Sequence, residues 1–353
     1  YLADYSGCGH WRILWPEAVI NARGDGMSQS TTAMVTEPRW YTGVKCVKVQ
    51  RQASSQQKEF IKFLKKVQQE HDFKIIYEVD DVVFRECIPD YNKFKFAFDT
   101  EEVSARDANF SLQNMRKLYQ EKTGQEKITV IPNFVPNGWM GQLYNPAQIR
   151  KEYENNKRKP RILYTGSGAH YDVDNKVGGN DDMFGVRDFI RKTVDKYQWI
   201  FVGAFPPQLQ DLVQQKKIEF YPWQPLLRYP FFVAGLNAQL MVAPLQVNDF
   251  NRAKSDIKFI EACVLGIPCL CQDMETYQGA PTNLKFSTIE DFEHKISKIL
   301  NYKKKNKYFQ NIAKLRDIGQ RRILELDHNI GAHLEALNTP YGSSERTFLK
   351  QWN

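Results

Sequence analysis

The sequence predicts an α/β protein with two doubly wound domains that face each other across a cleft. In the second half of the chain, short apolar segments alternate with amphipathic ones, as parallel strands alternate with helices. A length of 353 residues is enough for two domains that each bury a core. A polar, basic run at 153–160 separates the halves. We expect domains at 1–157 and 158–336, called the first and second half below, and a tail at 337–353 that packs back on the first half.

The second half shows the alternation of strands and helices most clearly. Its apolar segments predict strands at 161–165, 199–202, 218–221, 240–243 and 269–271. Its amphipathic segments predict helices at 186–196, 208–216, 226–236 and 254–265, followed by a charged helical segment at 290–329. Parallel sheets of this kind bind ligands at the carboxyl ends of their strands, so we expect the site residues there.

The first half has a less regular pattern. Strands are predicted at 75–79 and 128–131, and a helix at 56–70. Residues 5–12 predict a glycine-rich loop that opens a helix near Pro16. The prediction of a second α/β domain therefore depends on fewer elements here.

The composition narrows the class of protein. No apolar run approaches the length of a membrane span, and the start of the chain lacks the pattern of a signal peptide. The six cysteines have neither zinc-site spacing nor Cys-x-x-Cys spacing. We therefore expect reduced thiols, no bound metal, and a cytoplasmic protein that is not integral to a membrane.

The charge of the chain favours polyanionic partners. The net charge is +8 and the pI is near 9.0. Up to residue 157 there are 22 Lys and Arg against 20 Asp and Glu, and after it 27 against 21. The excess is thus +2 in the first half and +6 in the second. Nucleic acid, a phosphorylated ligand and an anionic membrane all fit this charge.

A helix with two lysines and a glutamate is the most informative segment of the chain. Lys254 and Lys258 are four residues apart and Glu261 follows by three, so one helix face can carry all three. Ser255 or Asp256 is expected to cap the helix, whose N-terminal amides favour anions. A carboxylate one turn later can accept hydrogen bonds from sugar hydroxyls. This pattern indicates a nucleotide-sugar site, although a solvated helix face has the same pattern.

A glycine-rich turn follows the first strand of the second half. Gly166 allows the backbone to approach a phosphate closely, and Ser167 and His170 add side-chain donors. The alternative is an ordinary tight turn. The loop at 171–184, rich in Gly, Asp and Asn, is expected to be mobile.

Two motifs of the first half are expected on the opposite wall of the cleft. Gly7 and Gly9 would bring backbone to a ligand, and Arg12 would reach phosphate, unless this is a plain strand-to-helix turn. Asp80 and Asp81 end a strand and would position an acceptor hydroxyl or stabilise a cationic transition state. A metal clamp and a helix N-cap are the alternatives for this acidic pair.

Two aromatic motifs are typical of contacts with nucleobases. Trp223, after a second-half strand, would stack on a nucleobase or anchor the core. The run at 93–98 interleaves lysines with phenylalanines, as in contacts to single-stranded or flipped bases. An amphipathic edge strand would show the same pattern.

Together these motifs resemble the GT-B glycosyltransferases, and most closely their retaining, GT4-like branch. The resemblance covers nearly the whole chain: two Rossmann-like halves, the Gly-Ser-x-x-His turn, Lys-Ser-x-x-Lys-x-x-Glu before Gly-x-Pro, and Ile-Pro-Asn at 131–133. The segments 7–12 and 77–81 resemble first-domain motifs of a subgroup. This resemblance implies an α/β GT-B fold and an enzyme that transfers a hexose or pentose from a UDP-sugar, its co-substrate, with retention.

The resemblance also implies roles for individual residues of the second half, which would bind the donor. Glu261 matches the second acid of the family's Glu-x7-Glu motif, which holds the nucleotide ribose. The first acid would fall at Ala253, so Lys254, Ser255 and Lys258 are expected to hold the diphosphate.

Further expectations concern the reaction. The family's usual Arg/Lys pair is absent, and His170 occupies its region. In the front-face displacement described for retaining members, the leaving diphosphate takes the acceptor proton. Asp80 or Asp81 would place the acceptor. Lysines that neutralise the diphosphate make a metal or other cofactor unnecessary.

The acceptor is expected to be DNA. The sequence is similar to glycosyltransferases of T-even-like bacteriophages, which modify 5-hydroxymethylcytosine in DNA, and this implies the host cytoplasm for a phage-encoded protein. The run at 93–98, with Trp11 and Arg12, would hold the DNA. The alternatives are a glycosyltransferase of cell-surface polysaccharide or glycolipid synthesis, and a non-catalytic nucleotide-binding GT-B module.

Overall fold

The computed structural model describes most of the chain in two α/β halves. It covers residues 1–338 except 4, 6, 52–54, 83, 94, 96–107, 111–116, 118, 123, 125–127, 144, 155–157, 302 and 304. Most of the run at 93–98 and all but the first two residues of the expected tail at 337–353 therefore lie outside the described residues. Within them, no helix is long and apolar enough to cross a membrane.

The first half contains a parallel sheet of four strands within the described residues. They are β1 Cys46–Gln50, β2 Lys74–Val79, β3 Ala108–Phe110 and β4 Ile128–Val130, in that order across the sheet. The predictions of β2 and β4 are confirmed. The sequence analysis missed β1, which alternates buried valines with a lysine, and β3, which is only three residues long.

The helices of the first half begin earlier than expected. A continuous helical segment runs through Gly7–Gly9 and a π-helical turn, His10–Leu14, into α1, Trp15–Arg23. The prediction of a loop at 5–12 was therefore wrong from Gly7 onwards. The physical reason is aromatic packing, because Trp11 lies edge-on to Trp15 with ring centroids 4.7 Å apart and is 4% exposed.

Further helices of the first half are α2 Ser55–His71, α3 Asn137–Leu143 and α4 Pro146–Glu154. The run at 153–160 was expected to be a linker, but Tyr153 belongs to α4. Its buried ring stacks on Tyr308 with centroids 3.8 Å apart. This contact ties the end of the first half to the second.

The second half contains a parallel sheet of six strands within the described residues. They are β5 Arg161–Gly166, β6 Gln198–Gly203, β7 Ile218–Pro222, β8 Leu240–Ala243, β9 Cys269–Gln272 and β10 Lys285–Phe286. The order across the sheet is β10-β9-β8-β5-β6-β7. Five of these strands were predicted to within one residue. The strand order reverses between β5 and β8, and such a switch point opens a crevice at the carboxyl ends of the strands.

The second half also contains helices along its described residues. They are α5 Val186–Thr193, α6 Gln210–Gln214, α7 Tyr229–Gly235, α8 Asp249–Arg252, α9 Ile257–Leu265, α10 Ile289–Ile299, α11 Lys305–Arg321 and α12 Asp327–Asn338. The predicted helix at 254–265 begins only at Ile257. Residues 249–252 form the separate helix α8, which Asn248 caps by accepting a hydrogen bond from the backbone N–H of Asn251. Lys254 therefore lies in the connection between α8 and α9.

The end of the described chain returns to the first half. Helix α12 packs on α1, where Ile20 meets Ile330 and Ala336 in one buried cluster. Arg322 donates to the backbone oxygen of Asn133 at 2.8 Å. The return thus begins at Arg322, ahead of the tail expected at 337–353.

Candidate functional site

The glycine-rich turn lies at the switch point, at the end of β5. A Cβ on Gly166 would lie 2.8 Å from the ring of Tyr164, and one on Gly203 would lie 2.5 Å from the Gly166 oxygen. Gly203 also has φ +99°, which favours glycine. The side chain of Ser167 accepts a hydrogen bond from the Ala169 amide at 3.3 Å and so caps the turn. The two glycines therefore allow the ends of β5 and β6 to approach each other closely, whereas the sequence analysis expected Gly166 to allow the close approach of a phosphate.

His170 ends this turn and connects two charged side chains. Its Nδ1 lies 2.6 Å from Oδ2 of Asp182, and its Nε2 lies 3.2 Å from Nζ of Lys258. Burial, followed by the charges of Lys258 and Lys254, lowers the pKa of His170 to about 4. The imidazole is therefore neutral at neutral pH.

The loop after His170 makes many hydrogen bonds within itself. The carboxylate of Asp172 accepts the amides of Lys176, Val177 and Gly179 at 2.7–2.9 Å. Arg187 pairs with Asp181 at 2.8 Å. The polar residues that suggested mobility are used to satisfy the backbone of the loop.

The two lysines of the predicted helix do reach one site. Burial, followed by the charge of Lys254, lowers the pKa of Lys258 to about 8. Nζ of Lys258 lies 5.4 Å from the ring centroid of Tyr164. Nζ of Lys254 lies 3.9 Å from Oδ1 of Asp81, which belongs to the other half. The cations thus face the crevice from the side of the second half.

Glu261 lies one turn further along α9. Tyr229 donates its hydroxyl to Oε2 of Glu261 at 2.8 Å. Burial raises the pKa of Glu261 to about 7. At the start of the helix, Asp256 is the N-cap residue, and its carboxylate pairs with Arg322 at 3.0 Å. Ser255 precedes it and is partly exposed.

The acidic pair of the first half lies on the opposite wall. Asp80 is 8% exposed, and its Oδ1 lies 3.6 Å from Nε of Arg51. Its charge acts on Cys8 of the helical segment, whose thiol pKa is raised by burial and then by the Asp80 charge. Asp81 faces Lys254. The carboxyl end of β2 therefore meets the cations of the second half.

The roles expected for Arg12 and Trp11 were wrong, because both side chains are buried. Arg12 is 1% exposed; its Nε donates to Glu78 at 2.6 Å and its Nη1 to the Ile131 oxygen at 2.6 Å. Arg12 therefore neutralises a buried carboxylate and does not face a phosphate. Gly7 and Gly9 begin the helical segment, and no atom lies within 4 Å of the position of a Cβ on Gly7.

Trp223 is a surface residue, which excludes a role as a core anchor. It follows β7 and is 58% exposed. Its Cε3 would lie 3.5 Å from a Cβ on Gly203, so the ring stands beside the strand ends. An exposed ring in this place can stack on a planar ligand.

Several residues of the site were missed by sequence reasoning. Asp182 is the hydrogen-bond partner of His170, and Tyr91 and Asn251 both donate to it. These residues come from separate segments with no shared spacing. Lys93, by contrast, belongs to the run at 93–98 that the sequence analysis expected to hold DNA, and its Nζ would lie 3.5 Å from a Cβ on Gly168. In the described part of the chain, no group of His, Cys, Asp and Glu side chains could hold a metal ion.

Comparison with known proteins supports the fold. No protein-family model matches the chain, and no curated protein is similar to it in sequence. Solved structures are similar: Anabaena HepE in complex with UDP and glucose superposes with a TM-score of 0.55 at 13% identity, covering 96% of this chain and 84% of HepE. Sucrose-phosphate synthase from Thermosynechococcus elongatus gives 0.52 at 14% identity, covering 84% and 73%. Trehalose-6-phosphate synthase, studied for glycosyltransfer with retention, gives 0.55 at 11% identity, covering 94% and 84%.

These similarities extend over both halves of the chain. At such low identity they concern the fold and not the activity. They confirm the α/β fold with two parallel sheets that the sequence predicted, and this fold is similar to that of GT-B glycosyltransferases.

Proposed function

We propose that the protein is a glycosyltransferase that moves a sugar from a nucleotide-sugar, a UDP-sugar, to an acceptor hydroxyl. The observation that carries this proposal is the arrangement at the switch point. Lys258, His170 and Lys254 gather at the end of β5 and the start of α9, and Asp81 faces them from the other half. This places cations where parallel sheets bind phosphate, opposite a carboxylate wall.

Each group has a part in the proposed donor site. The ammonium groups of Lys254 and Lys258 neutralise the diphosphate as negative charge develops on it. Glu261 accepts hydrogen bonds from the ribose hydroxyls. Trp223, exposed beside the strand ends, stacks on the uracil ring. The solved structures with this fold include HepE in complex with UDP-glucose, which supports UDP as the nucleotide.

We further propose that transfer proceeds with retention. In a front-face displacement the acceptor oxygen attacks the anomeric carbon from the side of the leaving diphosphate, which takes the acceptor proton. Lys258 and Lys254 then stabilise the diphosphate. Asp80 and Asp81 orient the acceptor and face the cationic sugar. Trehalose-6-phosphate synthase, whose fold is similar to that of this chain, has been studied for the mechanism of glycosyltransfer with retention, and this supports the proposal.

The proposed acceptor is a hydroxymethylated cytosine in DNA. The net charge of +8 and the location of Lys93 beside the turn at Gly168 support this proposal. The base must leave the stack for its hydroxyl to reach the cleft, at a cost of a few kcal/mol. Trp11 and Arg12 are buried and do not make the DNA contacts expected of them. In this proposal lysines contact the DNA phosphates instead.

Mass spectrometry of DNA tests the acceptor and the enzyme together. Hydroxymethylated DNA is incubated with a panel of UDP-sugars, with unmodified DNA as the matched control. We expect the mass of one sugar on hydroxymethylcytosine only. A glycan acceptor that gains sugar while this DNA gains none would replace the DNA proposal, and a protein that binds UDP without using any UDP-sugar would be a binding module.

A further inference from the structure

The buried carboxylate of Asp182 joins the two halves at the candidate site. Asp182 is 4% exposed. Its Oδ1 accepts hydrogen bonds from the hydroxyl of Tyr91 at 2.7 Å, Nδ2 of Asn251 at 2.7 Å and the backbone N–H of Gln246 at 2.8 Å. Its Oδ2 meets Nδ1 of His170 at 2.6 Å. Tyr91 belongs to the first half and the other three groups to the second.

This environment keeps Asp182 ionised. Burial alone would raise its pKa, but the hydrogen bond and charge of His170 and the charge of Lys254 lower it below the usual value. A carboxylate only accepts hydrogen bonds, so Nδ1 of His170 must carry the proton. In the neutral ring, Nε2 then holds a lone pair. The ammonium of Lys258, 3.2 Å away, donates to that lone pair.

We propose that Asp182 and Tyr91 are positioning residues for Lys258, and that Tyr91 makes the position of this ammonium depend on contact between the two halves. Asp182 fixes the tautomer and the ring of His170, and the ring holds Lys258. The other tautomer would point an N–H at the ammonium and push it away. This inference rests on the proposed function only in assigning Lys258 to the donor diphosphate.

The first half contributes this contact through a short segment. Tyr91 is 5% exposed, and Asn251 also donates to its hydroxyl oxygen, at 3.0 Å. Two residues later, Lys93 lies beside the glycine-rich turn at Gly168. The segment at 91–93 thus touches the second half at Asp182 and at the turn. If the halves separate, Asp182 loses one of the three donors to Oδ1.

Nitrogen-15 NMR of His170 at neutral pH reads the tautomer directly, without substrate. We expect the wild-type ring to carry its proton on Nδ1. Asp182→Asn presents an amide N–H to the ring, so its proton should move to Nε2. A wild-type ring protonated on Nε2 alone, or on both nitrogens, would overturn the inference. The wild-type spectrum decides even if the Asp182 variant does not fold.

Turnover of the UDP-sugar tests the role of Tyr91. Tyr91→Phe keeps the ring and removes one hydrogen bond to a charged group, so we expect kcat to fall about 10-fold, and about 100-fold for Asp182→Asn. The matched control is Tyr308→Phe, which removes a buried hydroxyl that donates to the Gln239 oxygen at 2.7 Å within the second half. Its kcat should not change.

Equal kcat values for Tyr91→Phe and Tyr308→Phe would contradict the role of Tyr91. The NMR result is separate from the proposed function. If the wild type uses no UDP-sugar, the proposed function fails. Two measurements then decide whether Asp182 positions Lys258. One is the tautomer of His170, and the other is the affinity of Asp182→Asn for UDP compared with that of the wild type, measured by calorimetry.

Discussion

At the scale of single residues, the candidate site is a set of side chains whose pKa values are shifted by burial. Burial lowers the pKa of His170 to about 4 and of Lys258 to about 8, and raises that of Glu261 to about 7. Such shifts cluster at functional sites.

The first residue-scale prediction concerns Lys258. Lys258→Ala should remove an ammonium that stabilises the leaving diphosphate, and so weaken transition-state binding by about 2–4 kcal/mol. Steady-state kinetics with a UDP-sugar measure the loss. Lys192→Ala, an exposed lysine on α5, is the matched control and should keep full activity. Wild-type kcat/KM in Lys258→Ala would remove this lysine from the site.

The second residue-scale prediction is a pH profile. Below a pH of about 7, Glu261 is protonated and no longer accepts hydrogen bonds from two ribose hydroxyls, so kcat/KM should fall as pH decreases. Above a pH of about 8, Lys258 loses its charge, so kcat/KM should fall again. The profile for the free enzyme is therefore a bell with limbs near these values.

Variants assign the two limbs of the bell. Glu261→Gln should lose the acidic limb, whereas Glu290→Gln, an exposed residue on α10, should keep it. Lys258→Arg should move the alkaline limb upward, because a guanidinium stays charged. An unchanged acidic limb in Glu261→Gln would mean that another group titrates there.

The candidate residues that sequence reasoning named and those that it missed differ in one respect. His170, Lys258 and Glu261 follow strands or share a helix, so chain order brings them together. Asp182 and Tyr91 meet only through the packing of the two halves. The expectation that Arg12 reaches a phosphate was wrong, because the sequence around Arg12 does not show that Glu78, 66 positions away, needs a buried cation.

At the scale of elements, the strands of the second half were predicted well because they are apolar, mostly buried and separated by clear turns. The first half was harder. Strand β1 includes Lys48, whose ammonium lies 3.0 Å from the buried Glu78, so a charge interrupts the apolar pattern. The helical segment from Gly7 contains two glycines, which the sequence analysis took as loop signals. Tertiary contacts outweighed local preference in both places.

The element-scale prediction concerns the close approach of β5 and β6. Gly203→Ala would place a methyl group 2.5 Å from the Gly166 oxygen at a φ of +99°. We expect a loss of about 2–3 kcal/mol in the free energy of unfolding and weaker UDP binding, because the strand ends must separate. Chemical denaturation and calorimetry measure the two effects.

Gly235→Ala is the control for this prediction. Gly235 lies in α7, and no atom lies within 4 Å of the position of its Cβ. Alanine favours a helix more than glycine does, so stability should stay the same or rise slightly. Equal stability of the two variants would show that the strand ends do not need glycine at position 203.

At the scale of the whole molecule, several contacts join the two halves at the candidate site and behind it. Lys254 faces Asp81, Tyr91 donates to Asp182, and helix α12 packs on α1. The alternation of elements predicted the parallel sheets. It did not predict the partners across the cleft, because contacts between distant segments leave no local pattern.

The whole-molecule prediction is the salt dependence of DNA binding. The excess charge is +6 in the second half and +2 in the first, so DNA phosphates should meet cations on both sides of the cleft. Each contact releases counterions, so the logarithm of the association constant should fall linearly with the logarithm of salt concentration. Fluorescence anisotropy with hydroxymethylated duplex DNA measures the slope.

Lys93→Ala separates a built DNA site from general attraction to a basic protein. Lys93 lies beside the turn at Gly168, so a phosphate held there adds a contact that this variant removes. We expect the magnitude of the salt slope to decrease by about one. The control is Lys192→Ala, an exposed lysine on α5, which should leave the slope unchanged. The same decrease in both variants would indicate attraction without a defined site, and a glycan acceptor would then be the better proposal.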